Sequence, residues 1–237
     1  MLSVNRLTQE WAQGKNLPHS YQEKVSSTND WSKSEFLLSE DPFHLYLADH
    51  QQQGRGRNNN QWQDMADGTI LLSTWTFRME KNPQPILTPL IGLALFRSLK
   101  LILNESEFHI KAPNDIYVFE KKLSGILVEI IDQGKQKACV VGIGLNVLSN
   151  PKVDRPTVSL AEQCPDWQTH WTAFCDRFYL ELNEAVKKGQ SSRISDQDCQ
   201  ELLNALNRQK NIEQRYLKVH NDGSLHAPKG LIHWNEL

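Results

Sequence analysis

Two arginines alternate with two glycines in residues 51–62, which read QQQGRGRNNNQW. Gly54 and Gly56 widen the freedom of the backbone, and the asparagines that follow favour turns, so this composition predicts a mobile loop. Arg55 and Arg57 stay charged, and each guanidinium matches phosphate or carboxylate oxygens with two parallel N–H donors. The composition of this loop fits both a solvated surface turn and a lid that closes over an anionic ligand.

The composition of the whole chain is that of an ordinary globular protein, and it argues against several classes of function. A chain of 237 residues is long enough for one large domain, or for one domain with a small appendage. The formal charge of −2 and the pI of about 6.4 argue against a general nucleic-acid binder. Because no apolar run reaches membrane-spanning length and the N-terminus lacks a signal-peptide core, we expect a cytoplasmic protein with no membrane partner.

The spacing of cysteines and histidines gives no metal-binding pattern. The four cysteines lie far apart and form no Cys-x-x-Cys pair, which favours reduced, isolated thiols. The eight histidines show no His-x-x-x-His spacing. We therefore predict no metal held by protein ligands alone, whereas a magnesium ion carried in with a nucleotide is compatible with the sequence.

The sequence predicts an α+β fold, whose elements must position the Gly-Arg loop. We expect a mixed, largely antiparallel sheet flanked by helices, followed by a short β-rich tail. Strands are predicted at 43–50, 69–78, 114–119, 123–131 and 137–147, with a hairpin turn at Glu120, Lys121 and Lys122. Helices are predicted at 85–103, at 168–188 and near 196–208.

Two details refine this prediction. The second predicted helix has one apolar stripe, which we expect to face the core: Trp171, Phe174, Phe178 and Leu182. In the tail, the run Asn221-Asp222-Gly223 predicts a hairpin turn.

Four motifs occur in a fixed order: SSTND at 26–30, the Gly-Arg loop, KAPNDIYVFEKKLSGILVE at 111–129 and GIGLN at 142–146. In this order and spacing they resemble the catalytic domain of biotin protein ligases, from about residue 20 to residue 185. The resemblance implies a class II aminoacyl-tRNA-synthetase-like (biotin/lipoyl ligase) catalytic domain over 1–190. It also implies a reduced C-terminal helix with a β-hairpin, or a rudimentary SH3-like domain, over 191–237.

The same resemblance implies an activity and its partners. A biotin protein ligase uses ATP, with Mg²⁺, to form biotinyl-5′-adenylate and then transfers biotin to a lysine of a biotin carboxyl carrier domain. The expected partners are therefore biotin, ATP and the carrier domain of a biotin-dependent carboxylase. Family members often pair through the catalytic sheet, so a homodimer is compatible with the resemblance.

The resemblance also carries residue roles onto this chain. Biotin would contact a set of residues drawn from the first three motifs: Ser27, Thr28, Asn29, Gln51, Arg55, Gly56, Arg57, Trp62, Lys122 and Gly125. ATP and magnesium would face a second set: Arg57, Lys111, Asn114, Asp115 and Asn146. Lys122, Arg55 and Arg57 are the expected catalytic cations.

These cations also make chemical sense without the family. Joining a carboxylate to an amine requires activation, and two anions repel at bonding distance unless positive charge shields them. Arg55, Arg57, Lys111 and Lys122 are the available shields. An acyl-adenylate hydrolyses when water reaches it, so a loop that closes after binding would have a chemical purpose.

Several of these residues have structural alternatives. Ser27–Asn29 also fits a helix N-cap, Gly125 a β-bulge and Trp62 a core position. Lys111, Asn114 and Asp115 also fit a surface turn, and Asn146 a structural asparagine.

Two positions depart from the family pattern. Ala112 stands where the family usually has tryptophan, which leaves the size of the pocket open, and Gln53 stands where alanine is common.

Rival functions follow from the same residues. Lipoate or octanoate transfer belongs to the same superfamily, although the Gly-Arg loop followed by Trp62 favours biotin. A non-catalytic biotin- or nucleotide-binding protein is the rival from another class, suggested by Ala112 and by the short tail. Only 26 residues precede Ser27, too few for a helix-turn-helix domain, so a DNA-binding role is disfavoured.

Overall fold

The computed structural model describes residues 2–57, 60–65, 67–104, 107–134, 136–208 and 215–237. The helices are α1 (Val4–Gly14), α2 (Thr28–Glu35), α3 (Leu87–Leu99), α4 (Leu160–Gln163), α5 (Trp167–Lys188) and α6 (Asp196–Leu206). The strands are β1 (His19–Val25), β2 (Phe43–Gln51), β3 (Ile70–Met79), β4 (Phe108–Lys111), β5 (Asp115–Val118), β6 (Lys121–Gln133), β7 (Gln136–Asn146), β8 (Lys218–Val219), β9 (Leu225–Ala227) and β10 (Gly230–Ile232). Short 3₁₀ turns follow α2 at Phe36–Leu38 and β10 at Trp234–Glu236.

The strands form a seven-stranded sheet in the order β1-β2-β3-β7-β6-β5-β4 and a three-stranded sheet in the order β10-β9-β8. The pair β1 and β2 is parallel, and the other neighbours in both sheets are antiparallel. The predicted α+β class, with a mixed and largely antiparallel sheet and a small β tail, is confirmed.

The parallel pair explains why two distant motifs meet. β1, α2 and β2 form a crossover unit, and parallel strands joined in this way end at the same edge of the sheet. The register places Val25 opposite Gln51 at that edge. Ser27, two residues after β1, therefore lies beside Gln51, although 24 positions separate them in the sequence.

The two faces of the central strand β7 differ because successive side chains point to opposite faces of a sheet. Val141, Ile143 and Leu145 are buried in the main core. On the other face, Ala138 and Val140 pack in a small apolar cluster. The next two positions on that face are Gly142 and Gly144, so side-chain volume is missing there and the sheet is left open to a ligand.

The main core lies between the sheet and helices α1, α3 and α5. Helix α3 is apolar on nearly all sides, as expected for a helix that is buried on all sides. The predicted stripe on α5 is confirmed, because its four aromatic and leucine side chains are at most 1% exposed: Trp171, Phe174, Phe178 and Leu182. Leu202 of α6 and Trp234 of the tail join the same cluster, so the C-terminal residues pack on the sheet domain.

Most predicted elements are present, with shifted ends. The helix predicted at 85–103 spans Leu87–Leu99, and the hairpin at residues 221–223 is present, with Gly223 at φ +85°. The predicted hairpin between 114–119 and 123–131 is present, but its turn is shifted: β6 already begins at Lys121, and the chain reverses at Phe119 and Glu120, with φ +50° at Phe119.

Helices α1 and α4 and strands β1 and β4 were not predicted. Among the described residues, no helix is both long and apolar enough to cross a membrane.

Candidate functional site

A cleft of about 710 Å³, part of it open to solvent, lies over the glycine-lined face of β6 and β7. All ten residues expected to contact biotin line it: Ser27, Thr28, Asn29, Gln51, Arg55, Gly56, Arg57, Trp62, Lys122 and Gly125. These residues come from α2, β2, the Gly-Arg loop and β6, which only the folded chain brings together.

The floor of the cleft carries the indole of Trp62. Gly125 of β6 is the cross-strand partner of Gly144 of β7. A Cβ atom added to Gly125 would lie 2.8 Å from Cζ3 of Trp62, and one added to Gly144 would overlap the ring itself. The two glycines therefore provide the space in which the indole lies flat on the sheet. The β6–β7 register is regular at Gly125, and the irregularity in the β5–β6 register falls at Leu123, two residues before the position predicted as an alternative bulge.

The Gly-Arg loop forms a compact hairpin at the mouth of the cleft. Trp62 N donates to Gly54 O (2.8 Å), and Gly56 N donates to Asn60 O (2.7 Å). Asn60 N in turn donates to Arg57 O at 3.0 Å, which tightens the bend. The predicted turn residues Asn58 and Asn59 lie outside the described residues. That the loop is a mobile lid stays a prediction.

Arg55 is held by carboxylates. Its Nη2 lies 2.5 Å from Asp30 Oδ1 of α2 and 3.1 Å from Glu129 Oε2 of β6. Lys33 also pairs with Glu129, at 2.5 Å. Burial acts to raise the pKa of Glu129, but hydrogen bonds from Lys33 and Asn29 and the charge of Arg55 hold that pKa below its usual value. Arg55 thus fastens the loop to α2 and β6, and its expected direct role toward an anionic ligand stays a prediction.

Arg57 differs from Arg55 in its surroundings. Across the described ranges, its guanidinium makes no ion pair, and it is half-buried at the edge of the cleft. A third arginine, Arg155, lies in the loop after β7, is exposed and lines the same cleft. The motif analysis missed Arg155 because it belongs to none of the four motifs. Among the residues that the structure describes, neither Arg57 nor Arg155 forms an ion pair with a carboxylate, and both line the cleft.

One end of the cleft is a network of hydroxyl and amide groups. Gln51 Oε1 accepts from the backbone N–H of Thr28 (2.8 Å) and from its hydroxyl (3.0 Å). Thr74 of β3, which the sequence analysis missed, donates to Asn29 Oδ1 at 2.6 Å. Ser27 occupies the N-cap position of α2, but its hydroxyl makes no capping bond and faces the cleft.

The other end of the cleft contains a buried ion pair. Lys122, only 9% exposed, places its ammonium 2.7 Å from Asp115 Oδ1 and 5.5 Å from the centre of the Trp62 ring. Burial lowers the pKa of Lys122, and the charge of Asp115 opposes this effect without cancelling it. Arg155 and Lys111 add weaker repulsion that lowers the pKa further.

The remaining predicted nucleotide residues separate into two groups. Asn114 and Asp115 line the cleft, whereas Lys111 does not, and its ammonium lies 4.7 Å over the Tyr117 ring. Asn146, 1% exposed, lines an adjoining hollow of about 330 Å³. Its Nδ2 donates to Lys122 O (3.3 Å) and Val158 O (3.1 Å), a structural role. Its buried Oδ1 has no partner among the described residues, which leaves an acceptor available.

Away from the cleft, Cys164, Asp166 and His170 come within 4.8 Å of one another at the start of α5. The sequence search missed this group because it examined only Cys-x-x-Cys and His-x-x-x-His spacings. Asp166 is exposed and accepts a hydrogen bond from the Cys164 thiol at 3.1 Å. Exposed acidic groups of this kind are common without a bound ion.

Comparison with known proteins assigns the family. A model of the biotin/lipoate A/B protein ligase family matches residues 21–146, more than half of the chain. The chain belongs to this family. The matched region contains all four motifs and every strand of the large sheet except the first two residues of β1. The predicted resemblance is therefore confirmed at the level of the family.

Two curated relatives illustrate the match. The bifunctional ligase/repressor BirA of Escherichia coli (strain K12) is 34% identical over 104 residues, which cover 43% of this chain and 32% of the relative. The biotin–[acetyl-CoA-carboxylase] ligase of Mycobacterium tuberculosis is 34% identical over 123 residues, covering 50% of this chain and 45% of the relative. The alignments thus span less than half the length of these relatives.

Solved structures of biotin protein ligases share the fold over nearly the whole chain. The enzyme from Aquifex aeolicus in complex with biotin and ATP superposes with a TM-score of 0.65 at 21% identity, covering 91% of this chain and 94% of the other. The enzyme from Leishmania major in complex with biotinyl-5-AMP gives a TM-score of 0.65 at 18% identity, covering 90% and 96%. This chain therefore has the fold of these ligases over about nine-tenths of its length.

Proposed function

We propose that this protein is an ATP-dependent biotin protein ligase, which forms biotinyl-5′-adenylate and transfers biotin to a lysine of a biotin carboxyl carrier domain. One observation carries the proposal: every residue expected to contact biotin lines a single cleft. Family membership and the names of the aligned relatives support the same reaction.

The polar end of the cleft suits the ureido group of biotin. That group has one carbonyl acceptor and two N–H donors, so it needs both donors and acceptors from the protein. The Ser27 hydroxyl, which makes no capping bond, can donate to the carbonyl. Gln51 and Thr28 already share a hydrogen-bond network at this end, and such a network holds its members in one orientation before a ligand arrives.

The first step joins two anions, and the cations of the site are arranged for it. A biotin carboxylate oxygen attacks the α-phosphorus of ATP, and the bond between the α- and β-phosphoryl groups breaks as pyrophosphate leaves. Lys122 is anchored beside Asp115 at 2.7 Å, which holds an ammonium in place before the substrates arrive. Arg57 and Arg155, both lining the cleft, supply further positive charge for the phosphate oxygens.

The adjoining hollow suits the nucleotide. Asn146, whose buried Oδ1 has no partner among the described residues, lines this space together with Lys122 and Arg155, and the exocyclic amine of adenine is a donor of matching chemistry. Magnesium would enter with ATP. The oxygens of Asp115 and Asn114 at the cleft are the hard ligands that Mg²⁺ prefers.

In the second step the amine of a carrier lysine attacks the acyl carbon, an amide forms and AMP leaves. The adenylate must be kept from water until the carrier arrives. Arg55 links the Gly-Arg loop to α2 and β6 through ion pairs with Asp30 and Glu129. We assign to these two ion pairs the role of holding the loop over the adenylate.

One labelling experiment tests the proposed function. Purified protein is incubated with ATP, Mg²⁺, a biotin carboxyl carrier domain and radiolabelled biotin, lipoate or octanoate in parallel. Label from biotin should appear on the carrier, and only when ATP is present. Label from lipoate or octanoate alone would establish the rival transferase, and biotin binding without ATP-dependent labelling would establish a non-catalytic binding protein.

A further inference from the structure

The C-terminal residues are attached directly to the turn that presents the predicted nucleotide ligands. Trp234 begins the 3₁₀ turn after β10, and it is only 4% exposed within the main core. Its Nε1 donates to the carbonyl oxygen of Pro113 at 2.8 Å. The turn it begins is braced by Glu236, whose Oε2 accepts from the His233 backbone N–H at 2.9 Å.

Pro113 lies between β4 and β5 and immediately precedes the two cleft residues of this segment. On the side of the sheet, Asn114 is held by two bonds to Ile126: its Nδ2 donates to Ile126 O (2.7 Å), and Ile126 N donates to its carbonyl (2.8 Å). On the side of the tail, Pro113 is held by Trp234. The turn is therefore held from two directions, by the central sheet and by the C-terminal residues.

The next residue in the chain carries this constraint into the site. Asp115 lies one position beyond Asn114 and holds the Lys122 ammonium at 2.7 Å. β4 is the edge strand of the sheet and, among the described strands, pairs with β5 alone, so the turn has no strand neighbour on the β4 side. Misplacement of a positioned group by about 1 Å can cost roughly a hundredfold in rate, so support of this turn matters for the chemistry.

We propose that Trp234 is a positioning residue for the nucleotide half of the cleft, acting through the carbonyl of Pro113 on Asn114 and Asp115. The expected change in the KM for ATP rests on the proposed function, whereas the expected change in amide exchange at Ile126 can be measured without any activity. This positioning role gives the C-terminal residues a part at the site although none of those that the structure describes lines the cleft.

The test compares two Trp→Phe variants that each lose one indole N–H donor. In Trp234→Phe the ring stays buried but the bond to Pro113 is lost. The matched control is Trp11→Phe, which loses a bond from Trp11 Nε1 to Asp176 Oδ1 (2.9 Å) far from the cleft. Trp234→Phe should raise the KM for ATP by about tenfold, the scale of one net hydrogen bond, with the KM for biotin nearly unchanged. Trp11→Phe should leave both constants unchanged.

Hydrogen–deuterium exchange gives a readout that does not depend on catalysis. The Ile126 amide should exchange faster in Trp234→Phe than in wild type, and at the wild-type rate in Trp11→Phe. If wild type and Trp234→Phe have the same Ile126 exchange rate and the same KM for ATP, the positioning role of Trp234 is overturned. It is also overturned if Trp11→Phe changes both quantities as much as Trp234→Phe does. A wild-type protein that forms no biotinyl adenylate would overturn the proposed function, and the exchange data would still test the positioning role.

Discussion

The substitution Gly144→Ala tests whether the indole of Trp62 lies on the floor of the cleft. The added Cβ would lie 2.8 Å from Cη2 of Trp62 and closer still to Cζ2 and Cε2. An ordinary contact is 3.4–4 Å, so the nearest ring atoms must retreat by about 1 Å. Overpacking of this kind costs about 1–3 kcal/mol. We expect the free energy of unfolding to fall by about that amount, and the affinity for biotin to fall because Trp62 lines its cleft.

Three further variants make the test specific: Gly92→Ala, Trp62→Ala and the double variant Gly144→Ala/Trp62→Ala. Gly92→Ala is the matched control, because a Cβ at Gly92 in α3 would meet nothing within 4 Å. It should stabilise the protein by about 0.5–1 kcal/mol, the usual gain of alanine over glycine inside a helix. In the double variant Gly144→Ala/Trp62→Ala the overlap disappears, so its destabilisation should be smaller than the sum for the two single variants by about 1–2 kcal/mol.

Urea unfolding of the four variants and calorimetric titration with biotin provide both measurements. Unfolding of Gly144→Ala at the same urea concentration as wild type would contradict the placement of the Trp62 ring against Gly144. Simple additivity of Gly144→Ala and Trp62→Ala would contradict it as well, because the two positions would then not be in contact.

The remaining predictions concern charges. In a quenched-flow assay, Lys122→Ala should slow adenylate formation roughly 100-fold, the scale of removing one preorganised hydrogen-bond donor. Lys121 is the next residue along the chain and is exposed, so Lys121→Ala should leave the rate unchanged. Arg57→Ala should speed release of biotinyl adenylate by roughly 10–100-fold, because a charge-assisted hydrogen bond is lost. Retention of labelled adenylate on gel filtration measures this release, and wild-type retention would contradict the role of Arg57. Burial acts to raise the pKa of Asp198, but hydrogen bonds from Lys188, Arg97 and Ser195 lower it to about 2. Because the pKa is lowered in the folded state, the ionised carboxylate stabilises the fold by about 2 kcal/mol above pH 4, and this contribution is lost as pH falls through 2. In urea unfolding, Asp198→Asn should therefore have a lower free energy of unfolding than wild type at pH 7, and the difference should narrow toward pH 2.

Sequence patterns predicted the elements that bury apolar side chains. The strands near 69–78 and 137–147 and the α5 stripe were recognisable because β-branched and aromatic residues recur at the spacing of a strand or a helix. β1 was missed because its sequence HSYQEKV is polar at nearly every position, as an edge strand allows. The turn at 120–122 was misplaced because charged residues suggested a loop, whereas Lys122 is buried by tertiary packing.

The sequence predicted which residues belong to the candidate site, but not which of their side chains contact one another. Every residue that the motifs assign to biotin lines the cleft, yet periodicity carries no information on which carboxylate Arg55 contacts. Asp30 and Glu129 are 99 positions apart in the sequence and meet at Arg55 because α2 packs on β2, β3 and β7, and β7 is the sheet neighbour of β6. The contribution of Gly144 was equally hidden, since its role depends on an indole that arrives from a separate loop.

Biotin-dependent exchange of labelled pyrophosphate into ATP tests the central claim most directly, because it reports adenylation of biotin without any carrier protein. The purified protein should catalyse this exchange with biotin and Mg²⁺, and Lys122→Ala should reduce it roughly 100-fold. No exchange with biotin, or exchange supported by lipoate or octanoate in its place, would contradict the account.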